Sequence, residues 1–133
     1  MRKYFLATAA LLSSHCFAAA SSVNFEGNYD CHGNEIGSNA PFKCQMNVKK
    51  TGDTYASTAS CSDGNSYSGT GIYDANTQRL STGFVNPKKA EETGVSVSEI
   101  KTDGSITTVW TYLNSTSTGR TICTKQQLSE TPN

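Results

Sequence analysis

Residues 41–61 read PFKCQMNVKKTGDTYASTASC, and their two-residue rhythm decides the fold. Phe42, Cys44, Met46 and Val48 alternate with Lys43, Gln45, Asn47 and Lys49. A strand with one face in a core requires this pattern. Thr51-Gly52 is a turn signal. Beyond it Tyr55, Ser57, Ala59 and Cys61 share a face, with Val48 expected opposite Tyr55. A slip of one residue would turn either set to water, so the alternation fixes the register.

The same signature extends in both directions. Turn signals recur at Gly33-Asn34, Gly37-Ser38-Asn39, Asp63-Gly64-Asn65, Asp74-Ala75-Asn76, Asn86-Pro87, Asp103-Gly104 and across Asn114–Gly119. Between them lie eight runs of strand length: 23–32, 41–50, 54–61, 66–73, 79–85, 94–101, 105–113 and 120–126. Short strands at even spacing, joined by tight turns, predict an all-β, eight-stranded antiparallel up-and-down barrel. Ile106, Thr108, Trp110 and Tyr112 share one face of the seventh run. Gly69 and Gly71 alternate within Tyr67–Tyr73 and mark a bend or a close backbone approach, as a tightly curved wall needs. The longest connection is expected from Asn86 to Thr93, a solvated loop carrying Lys88, Lys89, Glu91 and Glu92.

Residues 1–20, MRKYFLATAALLSSHCFAAA, have the layout of a secretory signal peptide: a basic start, a short apolar run and small-x-small cleavage sites at Ala18 or Ala20. The mature chain is then one domain, residues 21–126, followed by a loose tail over 127–133. It is expected in the periplasm or the medium. Eleven basic residues balance eleven acidic ones, and the leader takes Arg2 and Lys3 but no acid. The slightly acidic remainder argues against a nucleic-acid partner. No later stretch is long enough for a transmembrane helix. A monomer is the expected state.

Cys16 leaves with the leader, so Cys31, Cys44, Cys61 and Cys123 remain. In an exported domain four cysteines point to two disulfides. A turn near Gly37-Ser38 places Cys31 opposite Cys44, which favours Cys31–Cys44 with Cys61–Cys123. The competing pattern is Cys44–Cys61 with Cys31–Cys123. No C-x-x-C pair supports a metal site.

Catalytic groups are sparse. His32, the one histidine after the leader, reads as a surface residue beside a disulfide, and a zinc site of two or three histidines is excluded by count. Glu26 and Asp30 oppose the Phe25/Gly27/Tyr29 set and are expected to face water. Glu99 shares parity with Val95 and Val97, so it is expected to point inward with Arg79 or Arg120 as partner. No G-x-S-x-G, P-loop or G-x-G-x-x-G is present. The chain is expected to be no enzyme and to need no cofactor or metal.

Two resemblances add to this reading. Gly27-Asn28-Tyr29 and Gly119-Arg120 resemble the calycin pattern of lipocalins and avidins, with Tyr29 in place of their Trp. There a G-x-W in the first strand packs under an Arg or Lys of the last. The resemblance implies a barrel floor at Tyr29 and Arg120. It also implies an open end lined by Tyr55, Tyr67, Trp110 and Tyr112 for a small apolar ligand. Tyr29-Asp30-Cys31 and Ser66-Tyr67-Ser68-Gly69-Thr70-Gly71-Ile72-Tyr73 are similar to motifs of periplasmic inhibitors of animal-type lysozyme. That family's second motif, an aromatic–Trp–x–Lys–Gly stretch, has no counterpart around Trp110. This second resemblance implies an inhibitor loop around Ser68 and an extracytoplasmic protein partner. The leading expectation is an exported non-enzymatic binding module. The alternative is a proteinaceous hydrolase inhibitor.

Overall fold

The computed structural model describes residues 23–127. The expected leader, and the expected tail from residue 128 on, lie outside the described residues. Eight strands form a closed antiparallel barrel in chain order: β1 (Gly27–Asn34), β2 (Pro41–Thr51), β3 (Thr54–Cys61), β4 (Ser66–Asp74), β5 (Arg79–Asn86), β6 (Lys89–Ile100), β7 (Ile106–Tyr112) and β8 (Gly119–Lys125). β8 pairs with β1, so no strand edge is left open. The expected fold is the observed one, and it is compatible with a calycin-type barrel. No helix of the described residues is long and apolar enough to cross a membrane.

Turn chemistry explains the chain reversals. Gly52 takes φ 62°, the positive value that a two-residue hairpin turn needs at its first central position. Asp63, Asp74 and Asp103 each accept the N–H two residues on, from Asn65, Asn76 and Ser105. These Asx turns close three further hairpins.

Several expectations are corrected. Thr51 pairs with Thr54, so Tyr55 faces Lys50 and Val48 faces Ser57; the turn is Gly52-Asp53, one residue later than expected. The loop expected from Asn86 to Thr93 is a tight turn at Pro87-Lys88, with Asn86 paired to Lys89 across it. The Asn86 carboxamide accepts the Lys88 N–H at 3.0 Å and stabilises that reversal. Residues 23–26 are no strand. They fold beneath the barrel and bury Phe25 completely, which packs on Tyr55 and Tyr73 with centroids 5.9 and 5.7 Å away. Glu99 faces outward with Val95 and Val97, where Arg79 reaches it at 2.7 Å and Lys101 at 3.2 Å. The inward parity of β6 belongs to Gly94, Ser96 and Ser98. The valines mislead because the middle of this barrel is lined by hydroxyls: Ser98 is buried against Thr108 at 2.8 Å.

The favoured disulfide pairing is also overturned. The bonds are Cys31–Cys123 and Cys44–Cys61. All four cysteines lie side by side in one row across β8, β1, β2 and β3. The Gln126 N–H bonds the Asn28 carbonyl, and the Ser62 N–H bonds the Lys43 carbonyl. That pattern makes Cys31/Cys123 and Cys44/Cys61 the close, non-hydrogen-bonded kind of cross-strand pair, with Cα atoms 4.0 and 3.9 Å apart. A strand residue turns both its N–H and its C=O to one neighbour. Cys31 and Cys44 therefore form the wider, hydrogen-bonded kind, and bonding them would strand Cys61 and Cys123 on opposite flanks. Two disulfides fit an oxidising, extracytoplasmic setting.

Candidate functional site

The barrel interior is divided along its axis. At the floor Phe25, Tyr29, Val48, Tyr55, Leu80 and Ile106 form the buried core, with Tyr73 and Ile100 packed against it. The Tyr29 hydroxyl donates to the Phe25 carbonyl at 2.7 Å, so the ring's polar end is satisfied inside. The last-strand cation over Tyr29 is Lys125, its register partner, with Nζ 6.0 Å from the ring centroid. Arg120, the residue expected there, lies exposed near the other end, opposite Asn34 and Val109. The error is one of register: Arg120 and Lys125 have opposite parity, and only Lys125 shares a face with Tyr29. The lysine side chain crosses Gly27, where a Cβ would lie 2.5 Å from its Cε. Gly27 also has φ 147°, so the glycine of the G-x-Tyr motif serves both backbone and packing.

The opposite end is open. A cavity of about 150 Å³ enters there, between the β1–β2 and β3–β4 turns. One wall is a chain of aromatic rings. Phe42, Trp110, Tyr112, Phe84 and Tyr67 follow one another at centroid distances of 6.2, 5.2, 6.2 and 5.9 Å, each pair edge to face. Ser57, Thr82, Ser96, Thr108 and Thr121 line the deeper part, and the sulfurs of both disulfides border it. Thr121 accepts the Trp110 indole N–H at 3.0 Å and fixes the ring's orientation.

Three of the four expected lining residues, Tyr67, Trp110 and Tyr112, lie together in this wall. Tyr55 does not: it is buried in the floor against Phe25. Ser68 is an exposed residue inside β4, not in a loop. Phe42 and Phe84 belong to the wall as well. Phe42 was legible as an inward position of 41–50, whereas Phe84 has only Leu80 and Thr82 to show its parity.

The rim carries carboxylates that the sequence patterns did not single out. Glu92 accepts the Tyr67 hydroxyl at 2.6 Å and the Asn86 amide at 2.9 Å, with Lys89 at 3.6 Å. Burial opposes its ionisation, but these partners outweigh burial and hold its carboxyl below the usual range. Burial pushes the Tyr67 hydroxyl up, and the Glu92 carboxylate pushes it further, so it stays a donor. Asn86 is 2% exposed and also donates to Asn65 at 3.2 Å. Asp63 is held low, first by the Asn65 N–H. Glu35 differs. Among the described residues no hydrogen bond or ion pair reaches its carboxylate. Burial, then the nearby charges of Asp63 and Glu92, push its carboxyl up, against a lesser opposing effect of Lys89. Both Glu35 and Asp63 border the cavity. No group of three or more His, Cys, Asp or Glu among the described residues is placed to hold a metal ion. Comparison of the chain with protein-family models and with curated proteins finds no match to either.

Proposed function

We propose that this chain is an exported, non-enzymatic binding protein of calycin type that takes a small ligand in the mouth of its barrel. The observation that carries the reading is the aromatic-walled cavity at one end, opposite a floor closed by Phe25, Tyr29 and Lys125. Concave sites with mostly apolar walls and a few fixed polar groups are what small ligands use. The volume suits one ring or a body of similar size, since an apolar cavity of about 150 Å³ accommodates benzene. The hydroxyls of Ser57, Thr82 and Ser96 border the same space, and none of the three has a side-chain hydrogen bond among the described residues. They are free to orient a polar atom of the ligand.

Trp110 is the chain's one tryptophan and stands in the cavity wall. Its emission therefore reports occupancy directly. The test is a fluorescence titration with neutral one-ring compounds, toluene and benzyl alcohol among them, backed by calorimetry. Saturable binding that changes Trp110 emission is expected. Absence of binding by both methods, to neutral and charged compounds of this size alike, would sink the reading.

A further inference from the structure

We infer that the ligand is a compact organic cation, an ammonium with an apolar envelope, whose charge is met by Glu35 and whose body lies against the Trp110–Tyr112 wall. This inference rests on the cavity reading above and adds the charge of the occupant.

The cavity itself is the site; the rim decides its sign. Two carboxylates, Asp63 and Glu92, are close enough to Glu35 to act on it, and all three act on the Tyr112 hydroxyl. Glu92 is satisfied by Tyr67, Asn86 and Lys89. Both Asp63 oxygens are engaged by Asn65, at 2.9 and 2.8 Å. Lys89 is the cation in ion-pair contact with this group, and it is committed to Glu92. Arg120 at the same end is exposed and makes no ion pair among the described residues. That leaves Glu35, half-buried on the cavity border, among like charges and without a partner. A half-buried carboxylate in that position favours a cation over a neutral or anionic occupant.

The wall has the matching chemistry. The faces of Trp and Tyr rings carry negative quadrupole charge and attract cations, and aromatic surroundings are a recurrent means of holding quaternary ammonium groups. Trp110 and Tyr112 stand 5.2 Å apart at 63°, so two differently oriented rings border one space. An anion would meet both the rings and the rim with the wrong sign. The volume limits the cation to roughly the bulk of a single ring.

The experiment compares choline with 3,3-dimethylbutan-1-ol, its neutral isostere, on the full mature protein. Binding is read by Trp110 emission and by calorimetry. Choline is expected to bind at least tenfold tighter than the alcohol, with the preference shrinking as salt rises. In Glu35→Gln the preference should fall to threefold or less while binding of the alcohol is unchanged. Equal binding of the two compounds would overturn the charge inference and leave the small-ligand reading standing. A preference that survives Glu35→Gln would overturn the role given to Glu35. If neither compound nor toluene binds, the cavity reading falls and this inference falls with it.

Discussion

Glu35 and Glu92 stand at the same rim with opposite linkage to pH. Glu92 is held below the usual carboxylate range, so it contributes stability above its unfolded pKa and loses it as pH falls through the folded one. Glu35 is pushed up, so the native state binds its proton more tightly than the unfolded chain does. Its contribution to stability falls as pH rises through the folded value. Two outcomes are expected. Glu35→Gln raises the Tm at pH 7 and leaves it unchanged near pH 3, where the acid is protonated in both states. Tyr67→Phe removes the 2.6 Å donor to Glu92 and lowers stability at pH 7 by about 1.5–3 kcal/mol, the usual range for a hydrogen bond to a charged group. Thermal unfolding of the three proteins across pH checks both signs. A parallel shift for the two variants at all pH values would contradict the assignment.

The strands meet through a repeated pairing of ring and glycine. Phe42 lies opposite Gly33, Phe84 opposite Gly94, and Trp110 opposite Gly119. A Cβ built on each of these glycines would come within 2.7, 2.6 and 2.4 Å of the ring across from it. Each of these three rings therefore covers the cross-strand position where no side chain stands, as in aromatic rescue of strand glycines. This seats the rings against the wall and leaves the cavity between them. Gly119→Ala is expected to displace Trp110, cost about 1–3 kcal/mol as an overpacked site does, and shift the tryptophan emission. Gly83→Ala is the control, because nothing lies within 4 Å of its added Cβ; its effect should stay within about 0.5 kcal/mol, as for an ordinary surface change. Denaturant melts with the emission spectrum read in parallel separate the two. Only Gly69 and Gly71 of β4 stood out in the sequence as glycines inside a strand; Gly33 and Gly119 read as turn residues, and which ring Gly33, Gly94 and Gly119 each face depends on pairing across the barrel.

Across the whole molecule the two disulfides do different work. Cys44–Cys61 spans 17 residues and staples one hairpin, while Cys31–Cys123 spans 92 and joins the first strand to the last. In the chain-entropy account a loop of about 15 residues gives ~3 kcal/mol and one of about 100 gives ~4.7 kcal/mol. Replacing Cys31 and Cys123 by serine should therefore cost more stability than replacing Cys44 and Cys61, by about 1–2 kcal/mol. Equilibrium unfolding of the two double variants measures the difference. Peptide mapping of the oxidised protein should yield the 31–123 and 44–61 links; a 31–44 link would refute the row arrangement.

The sequence by itself determined the strand count, the antiparallel meander, the inward sets of β2, β3 and β7, and the placing of Cys31, Cys44, Cys61 and Cys123 on four of the strands. Those follow from local rules: period-two alternation, turn residues that supply the reversals, and cysteine usage. The sequence also brought Tyr67, Trp110 and Tyr112 to notice as one family of rings. Only the tertiary structure decided how the strands meet. A turn shifted by one residue moves Tyr55 from Val48 to Lys50. Hydrogen-bonded and non-hydrogen-bonded pairs alternate along a ladder without leaving a mark on composition, and that alternation chose the disulfides. Closure of β8 on β1 put Lys125, rather than Arg120, over Tyr29. The rim of Glu35, Asn65, Asn86 and Glu92 gathers side chains from two separate turns and two strands. No local pattern could assemble them, because their proximity is a product of the closed barrel.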